Sequence, residues 1–170
     1  FRGAAYIFER DGSAWEPIQN PRSETGGEAR IEANDGAELA LATYAIDFSP
    51  SGKVGWIVGD LAKAIRTGDG GQLWVSKTPN VQMATINTLY GVAAVDDNNV
   101  FAVGAAGTIV HSSDGGETWE LLRFDPAPNR PPIIYDLYFP TADTGFAVGS
   151  YGLMLRTTDG GANWERLEPD

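Results

Sequence analysis

The chain has 170 residues, 42% of them hydrophobic, which is enough for one ordinary domain with a real core and excludes a disordered acidic tail. Its 23 acidic and 12 basic residues give a net charge of −11, which argues against a nucleic-acid-binding face and against adsorption to anionic lipid. It has no cysteine, so disulfides, zinc–thiolate sites and cysteine nucleophiles are excluded, and no apolar run approaches the ~18 residues of a membrane span.

One turn, written three times, sets the frame for the elements. It reads Thr67-Gly68-Asp69-Gly70-Gly71-Gln72-Leu73-Trp74, then Ser112-Ser113-Asp114-Gly115-Gly116-Glu117-Thr118-Trp119, then Thr157-Thr158-Asp159-Gly160-Gly161-Ala162-Asn163-Trp164. The aspartates are 45 residues apart, as are the tryptophans. A repeat of that period means a solenoid, a propeller or an array.

In chain order, residues 1–18 read as the end of a degenerate blade. Gly3 to Trp15 spans 12 residues, as do Gly107 to Trp119 and Gly152 to Trp164. Tyr6 falls in the column of Ile65, Val110 and Leu155. Arg10 takes the place of the box aspartate, with Asp11 one position late, so this turn has lost its usual bonding. Residues 19–41 are polar and glycine-rich and read as an insertion or linker, a loop or an extra hairpin. Residues 42–79 form the first full blade, with strands predicted at 44–48, 55–59, 63–67 and 73–76. Residues 80–125 form the second, with strands at 90–95, 100–104, 108–112 and 118–123. Residues 126–170 form the third, entered through a proline-rich stretch that favours a stiff extended path, with strands at 134–139, 145–149, 153–157 and 163–167.

The runs are short, apolar and broken by Gly or Asp-Gly, and none has the 3.6 period of a helix. The fold class is therefore all-β. Four antiparallel strands in a unit of about 45 residues make a propeller blade. Three full blades and a partial one do not readily close a ring, so the expected setting is part of a larger propeller. Phe1-Arg2-Gly3-Ala4-Ala5 lacks the pattern of a signal peptide, and the chain reads as a mature form or an internal piece of something longer.

The box has a structural task. Glycine supplies positive φ, the Asp carboxylate and the Ser/Thr hydroxyl two residues earlier close the corner, and the Trp buries a large ring. Thr67, Asp69, Gly71 and Trp74, with Ser112, Asp114, Gly116 and Trp119 and with Thr157, Asp159, Gly161 and Trp164, are accordingly read as scaffold.

The boxes resemble the BNR or Asp-box repeat, Ser/Thr-x-Asp-x-Gly-x-x-Trp. The stretch from Gly145 through Phe146-Ala147-Val148-Gly149 to Trp164, and its copies at 100–119 and 55–74, look like repeats of the photosystem II stability/assembly factor-like propellers. The resemblance implies a seven-bladed propeller, placed in a periplasm, a lumen or outside the cell, that acts as a non-enzymatic assembly factor without cofactor or metal. Its partner is then a protein, with a membrane-complex subunit as one class.

Arg66, His111 and Arg156 share the column before the box Ser/Thr and should face the same way. In the resembled factors, arginines of this column contribute to a basic patch that meets a partner. His111, the only histidine, weakens the patch unless charged, and without an adjacent nucleophile it is not expected to be catalytic. Tyr151, in a Gly-x-x-Gly turn, is expected to be exposed and is the aromatic candidate for a contact. Tyr135, Tyr138 and Phe139 are expected on sheet faces. Asp96-Asp97-Asn98-Asn99 clusters oxygens suited to calcium, but its spacing fits a polar turn better.

Three function classes follow. The first is an interaction scaffold that docks a protein partner. The second is a fragment of a sialidase-like or other glycoside hydrolase, which shares the Asp box, and the third is an extracellular glycan-binding or matrix-binding propeller. A sialidase needs an arginine cluster with a Tyr/Glu pair; Arg66, Arg123, Arg130 and Arg156 are present, but Arg66 and Arg156 belong to the repeat.

Overall fold

In the computed structural model, residues 8–10, 15–17, 31–32, 42–79, 88–124 and 130–168 are described. Fifteen strands lie among them. The first blade is β4 (Thr43–Phe48), β5 (Gly55–Gly59), β6 (Ala64–Thr67) and β7 (Trp74–Ser76). The second is β8 (Leu89–Ala94), β9 (Val100–Gly104), β10 (Thr108–Ser112) and β11 (Glu120–Arg123). The third is β12 (Ile134–Tyr138), β13 (Gly145–Gly149), β14 (Leu153–Thr157) and β15 (Glu165–Arg166). Each blade is a consecutive antiparallel sheet, as the repeat requires. The second and third strands fall within a residue of expectation, whereas β11 and β15 are shorter than the runs expected there.

Upstream, β1 (Phe8–Arg10) and β2 (Trp15–Pro17) form an antiparallel pair, with Arg10 opposite Trp15. In the intact first blade Thr67 faces Trp74, so the paired positions there stand two residues further apart in sequence. β3 (Ile31–Glu32) adds a parallel strand to β7, so these two residues of the polar stretch lie at a sheet edge. Tyr6, Asp11 and the rest of that stretch lie outside the described residues.

The blades stack face to face. Trp56, Val58 and Ala64 from the first blade bury against Leu89, Val92, Ala102 and Val110 of the second. Phe101, Val103 and Ile109 from the second bury against Ile134, Leu137, Ala147 and Leu155 of the third. The box glycine closes each joint. A Cβ on Gly116 would lie 2.4 Å from Trp56 Cη2, and one on Gly161 would lie 2.4 Å from Phe101 Cζ. The box tryptophan follows it across the joint: Trp119 meets Trp56 edge-on at 5.5 Å, and its Nε1–H donates to the Lys77 carbonyl at 3.0 Å. Trp164 meets Phe101 and Phe139 edge-on. Polar ties reinforce the first joint: Lys77 pairs with Glu117, Ser49 and Ser51 donate to Asp97, and Ala94 N–H donates to Asp47.

Inside each box the bonding repeats. Gly71, Gly116 and Gly161 N–H donate to the hydroxyl of Thr67, Ser112 and Thr157 at 2.8–2.9 Å. Those hydroxyls donate to the Asp carboxylate two residues on. The carboxylate then takes the amide of Leu73, Thr118 or Asn163. Thr118 and Asn163 add a side-chain donor, and these bonds hold Asp114 and Asp159 down at about 2. Leu73 has no side-chain donor; Asp69 is lowered chiefly by the Leu73 amide.

At the opposite end, Gly59, Gly104 and Gly149 let the chain leading into the inner strand of their own blade pass close by. A Cβ there would lie 2.0–2.3 Å from the carbonyl oxygens of Ala42, Thr88 and Ile133. Each of these glycines faces a β-bulge on the innermost strand, between Thr43 and Ala45, Leu89 and Gly91, and Ile134 and Asp136. The adjoining turn is of type I′, with two successive residues at positive φ: Leu61-Ala62, Ala106-Gly107 and Tyr151-Gly152. Its closing amide donates to Asp60, Ala105 or Ser150.

Three outcomes follow. Gly161→Ala should cost about 2–4 kcal/mol in urea unfolding, from a clash with Phe101 added to a left-handed residue. Gly152→Ala, with nothing within 4 Å, should cost only about 1–2 kcal/mol; equal losses would refute the joint. Leu61→Asn places a residue tolerant of positive φ in the turn and should stabilise by about 0.5–1 kcal/mol. The depressed box carboxylates contribute stability that is full above the ordinary aspartate range and lost as pH falls through about 2. An acid titration followed by tryptophan fluorescence should therefore show stability declining from about pH 4 towards pH 2, with a flattened acid limb in Asp114→Asn and Asp159→Asn.

Candidate functional site

The bulges decide what the inner strands present. An extra residue in one strand leaves the ladder and re-aims its side chain. In all three blades that residue is a tyrosine: Tyr44, Tyr90 and Tyr135. The rings form a ladder across the blades, with centroids 5.3 Å apart from Tyr44 to Tyr90 and 6.2 Å from Tyr90 to Tyr135, tilted by 56° and 63°. Tyr44 is 50% exposed and Tyr135 49%, with Tyr90 half-buried between them. Asp60 stands at one end of the ladder. It accepts from the Tyr44 hydroxyl, the Thr88 hydroxyl and the Ala42 amide at 3.2–3.3 Å. Burial, then the bond to Asp60, push the Tyr44 hydroxyl above its ordinary value.

Tyr151 lies at this same end of its blade, in the I′ turn of the third blade. It is exposed, as expected, and the Arg130 guanidinium carbon sits 3.8 Å over its ring. The segment behind Arg130 is seated too: Pro132 is buried, and its carbonyl accepts from Gly107 N–H at 2.6 Å.

Arg66, His111 and Arg156 lie at the other end, beside the boxes. They do recur on the same face of their blades, opposite Trp56, Phe101 and Phe146. Arg66 reaches towards Gly115 of the next box, and the Nε atoms of Arg66 and Arg156 are buried without a hydrogen-bond partner. His111 stacks flat on Phe101 at 4.1 Å. Burial lowers its pKa against the pull of Glu120 and Asp96, which works against its adding charge to the column.

The other candidates take local roles. Asp96 accepts from the amides of Asn98 and Asn99 and from the Asn99 side chain, closing its own turn; Asp97 is held by Ser49 and Ser51. Phe139 stacks on Phe101 at 4.8 Å. Tyr138, 68% exposed, borders an open groove of about 510 Å³ along the inner strands with Asp47 and Asp136. The arginines do not converge: Arg130 stands at the ladder end, while Arg66 and Arg156 stand two blades apart at the box end. No helix among the described residues is long and apolar enough to cross a membrane.

The ladder was missed in the sequence because it breaks the 45-residue register. Tyr44 and Tyr90 are 46 apart, since the turn from β4 to β5 is one residue longer than the corresponding turns in the other blades. Aligning each inner strand separately brings the tyrosines into one column.

Among solved structures, the chain is similar to YCF48 bound to D1 peptide, at 25% identity and TM-score 0.62, covering 74% of this chain and 40% of that one. It is also similar to YCF48 from Cyanidioschyzon merolae, at 24% identity and TM-score 0.63, covering 76% and 41%. A GH74 enzyme from Niastella koreensis shares the fold at 19% identity and TM-score 0.63, covering 99% of this chain and 27% of that one. The chain thus spans about two fifths of the length of the YCF48 chains it matches. No curated protein matches it in sequence. The family model described as photosynthesis system II assembly factor YCF48 matches residues 32–134, more than half of the sequence, and the chain belongs to that family.

Proposed function

We propose that this chain is a non-enzymatic, protein-binding propeller that serves as an assembly or stability factor for a membrane complex, working in a lumen, a periplasm or outside the cell. The observation that carries the reading is the exposed tyrosine ladder on a rigid three-blade stack. Tyrosine gives large contact area at low entropic cost and is enriched at protein interfaces. The relative solved as YCF48 bound to D1 peptide supports a peptide-like partner for this chain as well.

The arginine column is the proposed complement at the box end. Arg66 and Arg156 offer positive charge to an acidic partner segment, and His111 joins them only when acid charges it. A glycosidase reading draws support from the GH74 fold alone, and the separated arginines give it no carboxylate-binding cluster among the described residues.

The test is a titration of the purified chain with a labelled D1 peptide, followed by fluorescence anisotropy, beside turnover assays on xyloglucan and a fluorogenic sialoside. Saturable peptide binding without turnover is the expected result, with Arg156→Glu weakening it about tenfold or more. Turnover of either glycan with no peptide binding would overturn the proposal.

A further inference from the structure

We propose that the Tyr44–Tyr90–Tyr135 ladder docks an extended, proline-rich peptide, with a basic side chain of that peptide beside Asp60. The inference rests on the protein-binding reading above and names a site and a ligand chemistry for it.

The ring geometry supports the peptide's backbone form. A polyproline helix has three residues per turn and rises about 3.1 Å per residue, so residues on one face recur about every 9 Å. The ladder steps by 5.3 and 6.2 Å, so its three rings together are little longer than one such turn. Successive rings are strongly tilted, which leaves wedge-shaped clefts between them, and pyrrolidine rings fill such clefts in aromatic-lined grooves. A proline-rich segment is already extended when free, so little ordering entropy opposes binding.

The charge supports the basic side chain. Asp60 is the carboxylate at the Tyr44 end, and its three contacts are all long, at 3.2–3.3 Å. The net charge of −11 adds a long-range attraction for a cationic segment.

The chain also holds such a segment on this end of its own blades. Arg130, Pro131 and Pro132 run there with the guanidinium on Tyr151 and the Pro132 carbonyl on Gly107. An arginine and a buried proline are thus already seated at this end of the blades, against a tyrosine outside the ladder.

Two features separate a binding ladder from mere filling. Tyr44 and Tyr135 leave about half their surface exposed. The bulges stand opposite Gly59, Gly104 and Gly149, and nothing in that pairing requires a tyrosine.

The experiment titrates the intact chain with three labelled decapeptides: an arginine followed by proline pairs, the same with the arginine replaced by alanine, and an arginine followed by glycine and serine. The first should bind. Tyr90→Ala and Tyr135→Ala, checked for unchanged melting, should each weaken it about tenfold or more. Tyr44→Phe should retain binding, and Asp60→Asn should weaken it and reduce its salt dependence. Equal binding of the glycine–serine peptide would overturn the polyproline half, and equal binding of the arginine-free peptide the basic half. If Tyr90→Ala unfolds the chain, Tyr90→Ser and Tyr135→Ser at low temperature provide the same readout. Binding of a D1 peptide with none of these peptides bound would overturn this inference and leave the protein-binding function standing. Failure of every peptide would remove both.

Discussion

The stack depends on the absence of a Cβ at the second glycine of the Asp box. Gly116 and Gly161 hold φ at 87° and 88°, which an L side chain rarely adopts, and each lies where a Cβ would enter the aromatic ring of the preceding blade. The hydroxyl and carboxylate of the box fix the glycine amide, and the glycine then fixes the spacing of the blades. Burying a ring such as Trp56 or Phe101 contributes roughly 3 kcal/mol, and that gain is available only if the box turn keeps its shape. The repeated motif is therefore a joint between blades as much as a corner within one. Gly71 differs: a Cβ there would meet Trp74 and Phe48 of its own blade only at ordinary distances of 3.8 and 3.9 Å.

A second set of glycines does a different job at the other end. Gly59 and Gly104 have φ of −171° and Gly149 −159°, extended values open to any residue. Their requirement is steric: a neighbouring carbonyl passes where a Cβ would be. That close approach goes with a bulge opposite each glycine, and the bulge ejects the residue that is tyrosine in every blade. The exposed ladder thus follows from a packing constraint in the sheet. Its position is as rigid as the sheet, which suits a binding surface better than a loop would.

This division explains what the sequence could and could not reveal. Asp, Gly and Trp at a fixed spacing of 45 declare the strands, the turns and the blade class, because each residue type answers a local demand. The partners across a joint are not local. Nothing in the box says that Trp119 will reach back to Trp56, or that its indole will bond the Lys77 carbonyl. The shared column puts Arg66, His111 and Arg156 on one face, but nothing in it says that His111 stacks on Phe101 and loses basicity by burial. The ladder escaped for a simpler reason, a one-residue difference in a surface turn that shifts the inner strand of the first blade against the repeat.

The same geometry bears on the outer face of the third blade. Phe146, Val148 and Met154 occupy the columns of Trp56, Val58 and Ala64 and of Phe101, Val103 and Ile109. The six residues inside the two joints are 0–2% exposed, whereas Phe146, Val148 and Met154 are 39%, 48% and 37% exposed. A contiguous apolar patch of this kind marks a contact surface. Its shape is demanding, because Phe146 stands where Trp56 and Phe101 receive a glycine. A surface that covered it in the way the joints are covered would bring a glycine backbone over that ring and an indole beside it. An ordinary side chain at that point would meet the ring as a Cβ on Gly161 would meet Phe101. The motif that closes the joints therefore also restricts what this face can accept, since the socket selects by what it leaves no room for.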